Sequence, residues 1–125
     1  MTARRVLIID DEATFTRLVK MNLEADGAYE VREEHHGARG LSAAQAFHPD
    51  VVLLDVIMPD MDGHQVAAQF AADATLASVP IIFLTATVMK RGVDTLPASL
   101  AGRPVIPKPV SMRELRACLA QIVPR

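Results

Sequence analysis

The sequence has no tryptophan, one tyrosine, four phenylalanines and one cysteine among its 125 residues. Aromatics make up only 4%, and the 13 lysines and arginines lie scattered among 15 acids. With no basic stripe and little aromatic surface, direct nucleic-acid binding has weak support. Long apolar runs are missing as well. The purely aliphatic runs, such as Val51 to Leu54, are far short of the roughly 20 residues that span a bilayer. "VLII" after Arg4 and Arg5 is too short for a signal-peptide core, and acids follow it at once. The address expected from these absences is the cytoplasm, with no membrane partner. Cys118 falls in a helical apolar pattern and reads as a small core residue before it reads as a reactive thiol. No linker, repeat or low-complexity segment interrupts the chain, and its length fits one domain.

What is present is a core-forming composition: 50% hydrophobic residues, mean hydropathy +0.22 and a net charge of −2. "RRVLIIDD" reads as a strand of aliphatic residues closed by two aspartates. "EATFTRLVKMNLEADG" carries Phe15, Leu18, Val19, Asn22 and Leu23 at helical spacing and stops at Gly27. "AYEVREE" alternates as a strand does, and "GARGLSAAQAFHP" is an alanine-rich helix stopped by Pro49. "DVVLLD" is a second buried strand, "GHQVAAQFAADATL" a helix, and "VPIIFLTA" a third buried strand. Residues 88–101 are ambiguous because Gly92 and Pro97 interrupt any helix. "RPVIP" is a short strand, followed by the helix "SMRELRACLAQIV", where Ser111 and Glu114 form a capping-box pattern.

The order is strand then helix, five times over. Continuous apolar strands require burial on both faces, so the expected fold is α/β, a (βα)5 doubly wound parallel five-stranded sheet in the flavodoxin-like order 2-1-3-4-5. Such sheets place ligands beyond the carboxyl ends of their strands. Asp10 and Asp11 stand at the first of those ends, Asp55 at the third, Thr85 at the fourth and Lys108 at the fifth. Each has an ordinary alternative: Asp11 also fits a helix cap, Asp55 a turn, Thr85 a strand-end hydroxyl and Lys108 a surface lysine. Their joint placement argues against these. Carboxylates about 4 Å apart repel by roughly 4 kcal/mol per pair at an effective dielectric near 20. One lysine does not neutralise three acids, so a hard divalent ion such as Mg²⁺ is expected.

"VLIIDDE", "HPDVVLLDVIMPDMDG", "PIIFLTA" and "PVIPKPV" resemble the receiver domain of two-component response regulators, and the resemblance extends over residues 1–125. It implies phosphoryl transfer from a phosphohistidine on a histidine kinase or histidine phosphotransfer protein to Asp55. It further implies Mg²⁺ held by Asp11 directly, by Asp10 mostly through water, and by Asp55 and the backbone carbonyl of Ile57. Thr85, the backbone N–H of Ala86 and Lys108 would meet the phosphoryl oxygens. In this family the bond matching Lys108–Pro109 is cis, and X–Pro bonds are the ones for which cis is accessible. Pro107 lacks an N–H, which suits an edge strand or a strand end.

Three positions depart from the family's habit. Val105 stands where an aromatic often moves on phosphorylation, so the resemblance does not carry over the usual coupling to the threonine. Glu34 replaces a common alanine, facing either the pocket or, by preference, solvent. Gly92 and Pro97 break the region that often forms the output surface. "MDG" at 61–63 suits a turn with Gly63 at positive φ. The four histidines have no metal-site spacing. The start of the first helix resembles the surface offered to kinases, with Thr14 off the apolar stripe, and with Phe15 and Leu18 either there or in the core.

The expected function is a signalling switch with a downstream protein target, as a monomer or weak dimer, and as a free-standing chemotaxis-type receiver or one cut from a larger protein. A phosphatase would need an acid after Asp55, where Val56 and Ile57 stand. An unphosphorylated scaffold would have no need of all five polar residues.

Overall fold

The computed structural model describes residues 3–85, 99–100 and 102–123. Strands β1 (Arg4–Ile9), β2 (Tyr29–Glu34), β3 (Val51–Asp55), β4 (Ile81–Thr85), β5 (Ser99–Leu100) and β6 (Arg103–Pro107) alternate with helices. The helices are α1 (Ala13–Glu24), α2 (Gly40–Phe47), α3 (Gly63–Ala71) and α4 (Met112–Ile122), with a 3₁₀ turn over Gly37–Arg39. The sheet runs β2-β1-β3-β4-β6-β5. Its first five strands pair in parallel, in the expected order, and β5 adds an antiparallel pair to β6.

The aliphatic runs explain the two-sided burial. Side chains alternate across a strand, so one run feeds both faces. Val6 and Ile8 of β1 pack with Val19 and Leu23 of α1 and with Leu115 and Leu119 of α4. Their neighbours Leu7 and Ile9 point the other way, onto Ala43 and Ala44 of α2 and onto Val66 and Phe70 of α3. β2, on the sheet's edge, alternates instead: Tyr29 and Val31 are buried, Glu30 and Arg32 exposed.

Several local readings change. The strand expected at the sheet edge, β6, is flanked by Ser99–Leu100, a two-residue strand too short to leave a periodic signal. Pro107 does end β6, opposite Thr85, and the ladder resumes with Lys108 N–H donating to the Thr85 carbonyl at 2.8 Å. The expected breaks at Gly92 and Pro97, and Ala86, lie outside the described residues. α3 stops at Ala71, short of the expected Leu76, because the Asp73 carboxylate takes the N–H groups of Thr75 and Leu76 at 2.9 and 3.2 Å. Leu18, on the expected apolar stripe of α1, is 62% exposed, whereas Thr16 is buried. The Thr16 hydroxyl satisfies itself on the Ala13 carbonyl and the Glu33 carboxylate, at 3.0 and 2.6 Å.

Gly63 is the largest correction. Positive φ belongs to Gly27 and Gly102, and Gly63 is needed for room instead. A Cβ there would overlap the Asp55 carbonyl oxygen and sit 2.9 Å from Val56 Cα. The start of α3 thus rests directly on the end of β3, closed by the Gly63 N–H bond to the Val56 carbonyl at 2.8 Å and by a reciprocal capping box between Asp62 and Gln65. Gly63→Ala should therefore destabilise the protein by roughly 1–3 kcal/mol through overpacking. Urea unfolding should show a lower midpoint at unchanged slope. An unchanged midpoint would mean that the loop yields freely and the close approach is not required.

Candidate functional site

The carboxyl ends of β1, β3, β4 and β6 put Asp10, Asp11, Asp55, Thr85 and Lys108 at one edge of the sheet. Asp10 follows β1 and is fully buried; Asp55 and Thr85 close β3 and β4 at 3% and 4% exposure. Asp11 is exposed. It does not cap α1, whose N-cap is Glu12, without a side-chain bond. Asp10 performs the local anchoring, with Oδ1 accepting the Glu12 N–H at 2.9 Å.

Lys108 reaches back over this edge, after β6 and before a cis bond to Pro109. Its ammonium lies 2.6 Å from Asp10 Oδ2, 2.8 Å from Glu12 Oε1 and 3.6 Å from Asp55 Oδ2. It also sits 4.7 Å from the centre of the Phe15 ring, a cation–π distance. The other Asp55 oxygen accepts the Ile57 N–H at 3.2 Å. Glu12 and Phe15 were not among the expected site residues. The signal for Glu12 was the third acid of "DDE", which opens the helix facing Lys108; nothing in the sequence marked Phe15 as more than core or surface.

Two outer ties fix the loop after Asp55. The Asp60 carboxylate accepts the N–H groups of Gly37 and Ala38 at 3.2 and 3.0 Å, which holds its pKa below the ordinary range. Met58 is buried against Gly37. Glu34 does not stand open to solvent. Its side chain, 15% exposed, folds back to accept the N–H groups of His35 and His36 at 3.0 and 3.2 Å.

The electrostatics follow from burial. Burial, together with the charge of Asp10, pushes Asp55 up to about 6 against the pull of Lys108. Burial likewise raises Asp10 despite the ammonium beside it. For Lys108 burial works downward, and the partners Asp10 and Glu12 outweigh it, so its pKa stands above the ordinary value.

The donor set fits a hard divalent cation. One carboxylate oxygen from each of Asp10, Asp11 and Asp55 lies within 4.8 Å of the others. Asp10 Oδ2 is buried and faces the Lys108 ammonium alone, at 2.6 Å. Oxygen-only donors with excess negative charge suit Mg²⁺, which favours carboxylates and water.

A doubly wound α/β domain with an acid-and-lysine cluster at its strand ends is the class defined so far. Comparison with known proteins narrows it: the description "Response regulator receiver domain" matches residues 6–120, and the chain belongs to that family of two-component response regulators. It is 38% identical to the DNA-binding dual master transcriptional regulator RpaA of Synechocystis sp. over 66% of this chain and 34% of that protein. Identity is 36% with Protein PilH of Pseudomonas aeruginosa, over 65% of this chain and 66% of that one. With the alkaline phosphatase synthesis transcriptional regulatory protein PhoP of Bacillus subtilis it is 32%, over 98% and 49%. The chain thus spans between a third and two thirds of these relatives. Among solved structures it superposes on a putative response regulator from Chloroflexus aurantiacus with TM-score 0.83 at 26% identity, covering 99% of this chain and all of the other. The chemotaxis response regulator CheY4 of Vibrio cholerae gives 0.80 at 26%, covering 98% and 100%. Among the described residues no helix is long and apolar enough to cross a membrane.

The raised pKa of Asp55 has a sign. The folded state binds the proton more tightly than the unfolded chain, so charged Asp55 costs stability above about pH 6, and that cost disappears below its ordinary value of 3.8. In chelator, Asp55→Asn should stabilise the protein by roughly 1–3 kcal/mol at about pH 7.5, with the gain fading toward pH 4. Denaturant titrations across that range check it; a gain independent of pH would place its origin elsewhere.

Proposed function

We propose that the chain is a phosphoryl-accepting switch of a two-component system or phosphorelay, one receiver domain over residues 1–125, with Asp55 as acceptor. The observation that carries this is the Asp55 carboxylate itself. It is buried at a strand end, with one oxygen held by the Ile57 N–H and the other 3.6 Å from the Lys108 ammonium. A carboxylate so oriented can attack a phosphorus held in line. The oxygen–phosphorus bond forms as the bond from phosphorus to the donor histidine nitrogen breaks, leaving an acyl phosphate.

Such transfer asks for positioning and neutralisation more than for covalent help. Lys108 pairs with one phosphoryl oxygen, the Thr85 hydroxyl donates to another, and the Ala86 N–H to a third. Asp10, Asp11 and Asp55, with the Ile57 carbonyl, would hold Mg²⁺, whose charge offsets that of the phosphoryl group. Water attack on the acyl phosphate returns Asp55 to its starting state, so the chain assists its own resetting. Turnover of outside substrates is disfavoured, since Val56 and Ile57 cannot protonate a leaving group. The scaffold reading gains no support from a chain that carries all five polar residues.

The donor is a histidine kinase or histidine phosphotransfer protein in the cytoplasm. It would meet the face beside the site, where Thr14 is exposed and Leu18 and Met21 are 62% and 63% exposed. The readout is a changed contact with a downstream protein.

Acetyl phosphate with Mg²⁺ should give one phosphoryl adduct by intact mass, absent in chelator and in Asp55→Asn. An adduct persisting on Asp55→Asn would move the acceptor elsewhere. Thr14→Arg should slow transfer from the cognate kinase while leaving acetyl phosphate labelling intact, whereas equal slowing of both would indicate damage to the site.

A further inference from the structure

Lys108 and a cation at the strand ends want the same oxygen. The ammonium is 2.6 Å from Asp10 Oδ2, and the other oxygen of this buried acid, Oδ1, already accepts the Glu12 N–H at 2.9 Å. For a divalent ion to use Oδ2, the ammonium has to withdraw. A 10% exposed lysine side chain does not withdraw into bulk solvent without giving up its packing. The α1 side of the pocket offers a place to go. Glu12 Oε1 takes the aligned hydrogen bond of the ammonium at 2.8 Å, and the Phe15 ring faces it at 4.7 Å.

We propose that Glu12 and Phe15 form a seat for the Lys108 ammonium, which receives it when a divalent cation takes Asp10, and that they are positioning residues for metal loading. The inference rests on the reading of Asp10 as a metal-site residue. Glu12 is well suited to the part. Its side chain is 61% exposed, so it sits outside the buried carboxylate pair, and its backbone N–H is fixed on Asp10 Oδ1. With Lys108 drawn toward Glu12, the ammonium stays near Asp55 and charged, held ready without blocking the acids. The family's motif places the lysine; the seat belongs to the residues this chain carries at 12 and 15.

Two effects of Glu12 have to be separated, because its charge also attracts a cation through space. Chain length and the presence of Lys108 separate them. Glu12→Asp keeps the charge but shortens the reach by one methylene, and Lys108→Met keeps the stem but removes the occupant of the seat. The experiment is Mg²⁺ titration of the phosphate-free protein by calorimetry, a binding readout independent of phosphorylation. Glu12→Gln and Glu12→Asp should each weaken Mg²⁺ binding by roughly three- to tenfold, the range of a partly exposed charge pair, and Phe15→Leu by less. In the Lys108→Met background the Glu12 changes should have little effect, within about twofold, because coupling between residues in contact appears as non-additivity. Equal losses with and without Lys108, or Glu12→Asp behaving as the parent, would reduce Glu12 to a distant charge and overturn the seat. A parent that binds no Mg²⁺ would instead overturn the metal reading beneath it.

Discussion

The ammonium of Lys108, among the carboxylates of Asp10, Glu12 and Asp55, is the contact on which the rest of the molecule turns. Two of those acids are buried at strand ends, where like charges repel strongly, and the ammonium is the only cation among the described residues placed to pair with both. Asp55 is nonetheless pushed up to about 6, so the lysine offsets the repulsion only in part. The site is charged with an unmet demand for positive charge, which is what a divalent ion and a phosphoryl group together would answer.

The fold serves that cluster by making its position rigid. β1, β3 and β4 are buried on both faces, so their ends do not drift relative to one another. Behind Asp55, Gly63 lets α3 press onto the strand, and Asp60 ties the following loop to the 3₁₀ turn. In front, α1 begins directly from the Asp10 anchor, which brings Glu12 and Phe15 against the lysine. Burial costs the acids stability and at the same time holds them in place.

Much of this was legible in the sequence, for physical reasons. Aliphatic runs that end in acids identify buried parallel strands and their carboxyl ends together, so the pattern alone puts Asp10, Asp55, Thr85 and Lys108 on one edge. Contacts made by geometry rather than pattern were not legible. Gly63 reads as a turn residue because sequence cannot distinguish a glycine needed for positive φ from one needed for a close approach. Leu18 stays open between core and surface because helical spacing does not say how wide a stripe the sheet covers. Glu34 reads as solvent-facing because its backbone partners, His35 and His36, are local and aperiodic. Ser99–Leu100 is too short to show any alternation.

The central claim is that the acids and Lys108 act together as a cation-dependent site for a phosphoryl group on Asp55. Beryllofluoride, a mimic of that group, tests it most directly by fluorine NMR. With Mg²⁺ present, bound fluorine resonances distinct from the free anion are predicted, and they should vanish when the metal is chelated. Bound resonances of equal strength without any divalent ion, or none at all with Mg²⁺ in excess, would contradict the account.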